Sequence, residues 1–172
     1  MSDTIQAKIS TFAAAFAQGK AANVSEFKKV YETNRHRVYS FAFWMTDNEL
    51  AAEEISDATF RRAFGFSSAP NEEVIDRLLL AEVRELMPVG VLSLDCPVST
   101  EVESIRSNVK RVHLERAVVQ VPATERLIFV MHDGEGYSHE RIARTLGISE
   151  GESRHGLHQA RLRIRELVSK MN

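Results

Sequence analysis

The chain has 172 residues and a net charge of −2, with 44% hydrophobic and 27% charged residues. This composition excludes a fibre and a chain that is disordered throughout, and the near-neutral charge argues against a protein that coats nucleic acid indiscriminately. The length suits one ordinary domain or two small ones.

The N-terminal residues have the pattern of an additional helix. Four apolar side chains share one helical face: Ile5, Ile9, Phe12 and Phe16. Residues 1–10 lack the basic-then-apolar order of a secretory signal, and no apolar run in the chain is long enough to cross a bilayer. We therefore predict a helix within residues 1–22 and a cytoplasmic protein with no membrane insertion.

Residues 23–87 place apolar side chains at intervals near one helical turn, which predicts a compact bundle of three helices. A turn at Asp47 and Asn48 separates the first two helices, and Pro88 ends the third. No segment of the chain alternates apolar and polar residues as a strand would. The expected fold class is therefore all-α, with this bundle as the first of two small helical domains.

Residues 88–100 have the composition of a flexible linker, because they contain two prolines, a glycine and three hydroxyl side chains without a helical period. Helical periodicity returns in the second predicted domain, residues 101–172, with a turn at residues 133–136. Residues 111–172 carry ten basic and eight acidic residues plus five histidines, whereas residues 23–87 carry eight basic and twelve acidic residues. A nucleic-acid surface is therefore expected in the second domain.

Two helices joined by a short turn are predicted within residues 137–170. Ser138 can cap the first helix, and Gly147 can adopt the left-handed conformation that ends it. Ser149 and Glu152 have the spacing of a capping box that begins a long second helix. Helices joined at this distance are typical of a helix-turn-helix, which places its second helix in the major groove of DNA.

The outward face of the second helix supplies most of the candidate DNA-binding residues. Arg154, His155 and His158 are placed to reach base edges. Arg161, and Ser138 at the N-terminal end of the first helix, are placed to reach phosphates. A helical hairpin with a solvated basic face is the alternative that this pattern leaves open.

Several segments of the second domain resemble region four of the extracytoplasmic-function sigma factors, which belong to the sigma-70 family. They are Leu114–Pro122, Glu125–Phe129 and Gly136–Gly151, and the resemblance continues through Leu157–Arg161. In that family region four grips the upstream promoter element. The resemblance implies a non-enzymatic protein whose partners are core RNA polymerase, promoter DNA and an anti-sigma factor.

The first domain resembles region two of the same family more loosely. The segment Ala51–Phe64 is similar to the helix that docks on the clamp of the largest polymerase subunit, with Asp57 where glutamine is usual. The resemblance assigns polymerase binding to Glu53, Glu54, Asp57 and Arg61. An acidic, solvated face of an amphipathic helix is the alternative explanation of the same residues.

Two departures from the family pattern favour a second function. Residues 67–87 carry five acidic side chains where the family has a tryptophan and basic residues that open promoter DNA, and acidic side chains repel phosphates. In the second helix of the helix-turn-helix, Ser153 stands where an apolar residue is usual and Gly156 where a basic one is. The alternative is a sigma-like module that binds an anti-sigma factor or polymerase without initiating transcription.

No catalytic or cofactor-binding motif accompanies these features. The sequence has neither a glycine-rich phosphate loop nor a nucleophile motif, and its single cysteine, Cys96, forms neither an internal disulfide nor a zinc cluster. His132, Asp133 and His139 have no cysteine or carboxylate cluster beside them in the sequence. We expect no enzymatic activity, no cofactor and no metal site.

Overall fold

The computed structural model describes residues 24–67, 69–87 and 111–171. Within these ranges the chain forms helices joined by short turns and contains no strand, which confirms the all-α fold class. The predicted N-terminal helix, the linker and the first ten residues of the second predicted domain lie outside the described ranges. The predicted domain boundaries therefore stay predictions.

The chain divides into two compact units. The first comprises residues 1–43 and 48–83, and the second comprises residues 44–47 and 84–172. Each unit has its own set of buried apolar side chains.

Three helices make up most of the first unit: α1 (Val24–Thr46), α2 (Glu49–Phe66) and α3 (Glu72–Leu86). Asn48 begins α2, because its Oδ1 accepts a hydrogen bond from the N–H of Ala51 at 3.1 Å. Asn71 does the same for α3 through the N–H of Val74, at 2.9 Å. These caps satisfy backbone donors that the first turn of a helix leaves without an intrahelical partner. The turn predicted before α2 is present, and Asp47 passes through it with a φ of 52°.

Aromatic side chains hold α1 against α2. The ring centroids of Phe27 and Phe64 lie 3.9 Å apart, and those of Tyr31 and Phe60 lie 4.9 Å apart. Phe60 is only 1% exposed, so these rings supply a large share of the apolar surface that the unit removes from water. Helix α3 adds buried aliphatic side chains: Ile75, Leu78, Leu79, Leu80 and Val83. The opposite face of α2 is left to solvent.

The second unit contains four helices and a wider helical turn: α4 (Arg111–Val118), α5 (Ala123–Phe129), a π-helical turn (Val130–Gly134), α6 (His139–Leu146) and α7 (Glu150–Met171). Pro122 lies immediately before α5, where its missing N–H costs no hydrogen bond. In the π-helical turn the N–H of Glu135 donates to the carbonyl of Val130 at 3.0 Å. The sequence predicted only a plain turn in this segment, because composition does not reveal the wider hydrogen bonding.

Helix α7 is the helix on which the second unit is built, since α4, α5 and α6 all pack against it. One buried cluster joins α7 to the end of α4 and the turn that follows it: Ala117, Val118, Val121, Ala160, Ile164 and Val168. Leu114, Phe129 and Leu167 pack against this cluster from its edges. Because the apolar side of α7 is used in this way, its polar side faces outward.

Candidate nucleic-acid interface

Helix α6, the first helix of the predicted helix-turn-helix, has both of the predicted end signals. The exposed Ser138 begins it, with its Oγ accepting a hydrogen bond from the N–H of Arg141 at 3.2 Å. Gly147 ends it with a φ of 73°, and its N–H donates to the carbonyl of Ala143 at 2.9 Å. The guanidinium of Arg141 also lies 3.8 Å from the ring centroid of Tyr137, which holds the entry to the helix. Both capping predictions are confirmed.

The predicted capping box at the start of α7 is also confirmed. The N–H of Glu152 donates to Ser149 Oγ at 3.1 Å, and the N–H of Ser149 donates to Glu152 Oε2 at 2.8 Å. Hydrogen bonds from the backbone and then the hydroxyl of Ser149 lower the pKa of Glu152. The glutamate therefore stays charged at the positive end of the helix dipole, and α7 begins at a defined residue.

The outer face of α7 consists of Arg154, His155, His158 and Arg161, and all four side chains are exposed. Positions 154, 158 and 161 follow one another at intervals of four and three, so they lie along one line of the helix. The side chains on the other side, among them Leu157 and Ile164, are buried. The structure therefore brings together the four α7 residues that the sequence predicted for DNA contact.

The two positions of α7 that depart from the family pattern are both buried. Gly156 stands where the family has a basic residue, but it is buried in the second unit. Position 156 is therefore not part of the exposed outer face of α7. Ser153 is completely buried, and its Oγ lies 2.9 Å from Nδ1 of His139, so the hydroxyl has a partner on the adjacent helix.

Both arginines of the outer face of α7 form ion pairs within the chain. Arg154 Nη2 lies 2.5 Å from Glu150 Oε2, one helical turn away. Arg161 reaches across to the π-helical turn, where Nε and Nη2 donate to the two oxygens of Asp133 at 2.9 Å and 2.6 Å. The Arg154 pair has the spacing that sequence reasoning recognises. The Arg161 pair joins residues 28 positions apart and has no such signal.

Histidines link the π-helical turn to α6 and α7. The rings of His132 and His139 stack with their centroids 4.6 Å apart. His132 Nδ1 lies 2.8 Å from Asp133 Oδ1. With the contact between His139 and Ser153, these side chains form a polar cluster beside the outer face of α7. The sequence analysis singled out His132, Asp133 and His139. It did not predict that these three side chains share a surface with α7.

The charges of this cluster affect one another. Burial lowers the pKa of His139, and electrostatic interactions with His132, Arg154 and Arg161 lower it further against the opposing effect of Glu150. Burial alone would raise the pKa of Asp133, but hydrogen bonds from Arg161 and His132 outweigh it and lower the pKa. The hydrogen bonds that Arg161 donates to Asp133 raise the pKa of Arg161. The arrangement thus favours a neutral His139 beside a charged pair.

The outer face of α2 carries the residues predicted for polymerase binding. Glu53, Glu54 and Arg61 are exposed, and Asp57 is half-buried. Positions 54, 57 and 61 lie within two turns on one side of the helix, opposite the buried aromatic core. The four side chains are therefore presented together on one face.

Acidic residues of α3 are used inside the first unit. Asp76, which is 8% exposed, pairs with Arg37 of α1, and Glu82 pairs with Arg62 of α2 at 2.5 Å. Arg37 Nε also lies 3.8 Å from Glu72 Oε1. Acidic residues within 67–87 thus connect α3 to α1 and α2 by ion pairs. The same pairs neutralise Arg37 and Arg62.

Comparison with known proteins shows which family these features resemble. Residues 111–164 match the family described as Sigma-70, region 4. Over 169 residues the chain is 24% identical to the ECF RNA polymerase sigma factor SigE of Mycolicibacterium smegmatis. These matches confirm the predicted resemblance to the extracytoplasmic-function sigma factors. The alignment covers 90% of this chain and 66% of the relative, so the chain spans just under two thirds of the relative's length.

A solved structure has a fold similar to that of this chain. It is the co-crystal structure of the sigma factor RpoE in complex with the anti-sigma factor NepR from Bartonella quintana. The match has a TM-score of 0.63 at 19% identity and covers 83% of this chain and 96% of that one. At this identity the likeness establishes the fold alone.

The described residues contain neither a membrane-spanning helix nor a metal-binding group of side chains. Among them, no helix is both long and apolar enough to cross a membrane. In the same part of the chain, no group of three or more histidine, cysteine, aspartate or glutamate side chains is arranged to hold a metal ion.

Proposed function

We propose that this protein is a sigma factor that binds core RNA polymerase and directs promoter-specific initiation of transcription, with α6 and α7 on the upstream promoter element. The observation that carries the proposal is the outer face of α7, where two arginines and two histidines project from a helix fixed by caps at its start. A helix of this kind fits the major groove of DNA. As a sigma factor the protein belongs to a class without enzymatic activity of its own, and the proposal places it in the cytoplasm.

The proposed roles of the DNA-binding residues follow from their positions. Arg154, His155 and His158 lie in the first turns of α7, which in a helix-turn-helix reach base edges. Ser138, at the N-terminus of α6, and Arg161, later on α7, are assigned to phosphates. Base contacts provide discrimination between sequences, whereas phosphate contacts set affinity and position.

Polymerase binding is assigned to the outer face of α2. Glu53, Glu54, Asp57 and Arg61 correspond to the family's clamp-docking helix, and in this chain they project from one side of α2. A surface with both signs of charge supports a polar docking contact with a complementary partner. We propose the sequence-based domains in the same terms: an extra helix in residues 1–22, a region 2-like domain in 23–87, a linker in 88–100 and a region 4-like domain in 101–172.

The test combines binding with transcription. The purified full chain should co-elute with bacterial core RNA polymerase, and the complex should select a shared motif from a pool of random duplex DNA. A template that carries the motif should then give a defined run-off transcript. Failure to co-elute with core enzyme and to select DNA would contradict the proposal.

A second candidate function has a specific observation in its favour. In the family, the segment after α2 opens promoter DNA with basic side chains, but here α3 is rich in acidic residues, and Arg37 and Arg62 are already paired with Asp76 and Glu82. This supports a sigma-like module that binds an anti-sigma factor or polymerase without initiating transcription. Stable co-elution with core enzyme without any transcript from selected templates would favour this module.

A further inference from the structure

The ion pair between Asp133 and Arg161 is unlike the other arginine pair on the outer face of α7. Nε and Nη2 of Arg161 donate to different oxygens of Asp133, at 2.9 Å and 2.6 Å. Charge-assisted pairs with two parallel hydrogen bonds are the strongest ion pairs of this kind. Because Asp133 lies in the π-helical turn, the pair also fixes the arginine against a separate element.

The partner of Arg161 is itself held in place. Asp133 is 26% exposed as a side chain, and its Oδ1 lies 2.8 Å from Nδ1 of His132. Arg154, in contrast, meets Glu150 through a single contact between side chains that are 61% and 46% exposed. Exposed pairs one helical turn apart are weak and exchange readily with solvent. The charge of Arg161 is therefore held more firmly than that of Arg154.

We propose that Asp133 limits how strongly α7 binds DNA phosphates, because it holds the guanidinium of Arg161 in a neutral ion pair. We call this effect of Asp133 on Arg161 the guard. The inference rests on the proposed function, in which the outer face of α7 lies on promoter DNA. A phosphate that approaches Arg161 has to displace the Asp133 carboxylate or share the guanidinium with it. A cation that is already paired contributes less counterion release when DNA binds.

The guard has a consequence for specificity. Phosphate contacts strengthen binding to every sequence alike, whereas contacts to base edges strengthen binding to the preferred one. By withholding Arg161, Asp133 lowers affinity for mixed sequence and leaves discrimination to the side chains at the start of α7. Asp133 is thus a positioning residue, which acts on DNA through Arg161.

The test measures binding of the full chain to a fluorescein-labelled duplex of mixed sequence by fluorescence anisotropy. We expect Asp133→Asn to bind about fivefold more tightly at low salt, with a log–log salt dependence steeper by about 0.9, as for one added phosphate contact. In an Arg161→Ala background the same Asp133→Asn change should have no effect, because the guarded cation is gone.

Glu150→Gln is the matched control, since it removes a carboxylate from an exposed arginine pair on the same helix. Glu150→Gln should change the affinity for the mixed-sequence duplex by less than about twofold, whether or not Arg161 is present. An equal gain from Asp133→Asn with and without Arg161 would overturn the guard, because the carboxylate would then act only through its charge. DNA binding by the native chain with no gain in Asp133→Asn would overturn the guard but leave the proposed function standing. Absence of binding by every variant would overturn both.

Arg161→Lys provides a second route if Asp133→Asn does not fold, as judged by circular dichroism. Lysine keeps the positive charge but cannot make the two-pronged bond to Asp133. We therefore expect Arg161→Lys to bind the mixed-sequence duplex more tightly than the native chain. Equal or weaker binding by a folded Arg161→Lys protein would overturn the guard.

Discussion

Ser153 shows how a single side chain connects two elements of the second unit. Its position on α7 is buried, and an apolar residue there would leave Nδ1 of His139 without its present partner. The hydroxyl instead links α7 to the first residue of α6. Ser153 departs from the family pattern, which has an apolar residue at this position. Its buried hydroxyl is nevertheless hydrogen-bonded, because His139 of α6 lies beside it.

His139 should make the second unit less stable in mild acid. The pKa of His139 is lowered in the folded protein by burial and by nearby positive charges, whereas the unfolded chain takes up the proton near the ordinary value of about 6.5. The unfolded state therefore binds more protons, and the free energy of unfolding falls as the pH drops through about 6.5. Above that pH the stabilisation from the neutral histidine is fully present.

Urea unfolding of the full chain at pH 7.5, 6.5 and 5.5 measures this effect. The loss of stability towards low pH should be smaller in His139→Gln than in the native chain. His36→Gln is the control, since His36 is exposed on α1 of the first unit. If the His139→Gln protein loses as much stability as the native chain, the pH dependence does not come from His139.

At the scale of helices and turns, local signals were enough to predict where α6 ends and α7 begins. Ser138, Gly147 and the Ser149–Glu152 box act through atoms within a few residues, so their spacing in the sequence contains the information. The burial of Gly156 and the pair of Asp133 with Arg161 depend on how one helix packs against another. Spacing along the chain does not specify such contacts, and the sequence did not reveal them.

Gly147→Ala should destabilise the second unit by about 1 kcal/mol. An added Cβ at Gly147 meets nothing within 4 Å, so the cost comes from the φ of 73° and not from crowding. Gly147→Asn is the control, because asparagine tolerates the left-handed conformation better than alanine does. Thermal unfolding monitored by circular dichroism compares the two, and equal losses would show that the backbone conformation is not the cause.

For the whole molecule, the sequence was sufficient to predict the helical fold of the described residues and the resemblance to a family. The predictions succeeded because apolar residues recur at helical intervals and because the motif residues of the second unit lie close together in the chain. The sequence did not show that Arg37 and Arg62 pair with acidic residues of α3, since these pairs join helices 20 residues or more apart. Those pairs are the observation that supports the second candidate function.

Charge reversal on the outer face of α2 should separate polymerase binding from DNA binding. Glu54→Lys with Asp57→Lys should weaken binding of the full chain to core RNA polymerase on the order of tenfold, because both changes invert charge on one face. Binding to a mixed-sequence duplex should not weaken. Pull-down with core enzyme and fluorescence anisotropy with DNA measure the two activities.

A pair of reversals on α1, Glu26→Lys with Glu32→Lys, is the control for the change in net charge. Both glutamates are exposed on another helix of the same unit. If the two double variants lose polymerase binding equally, the effect is one of overall charge and the outer face of α2 is not the docking surface.

The contacts of the polar cluster depend on the number of residues in the π-helical turn. His132 and Asp133 both lie in this turn. Their contacts depend on the direction in which each side chain projects around the helix axis. Loss or gain of one residue there would turn the side chains before and after it by about 100° relative to each other. Asp133 would then no longer meet Arg161, even with every side chain retained. A replacement in this segment that keeps His132 and Asp133 preserves their angular positions, whereas an in-frame deletion or insertion of a single codon does not.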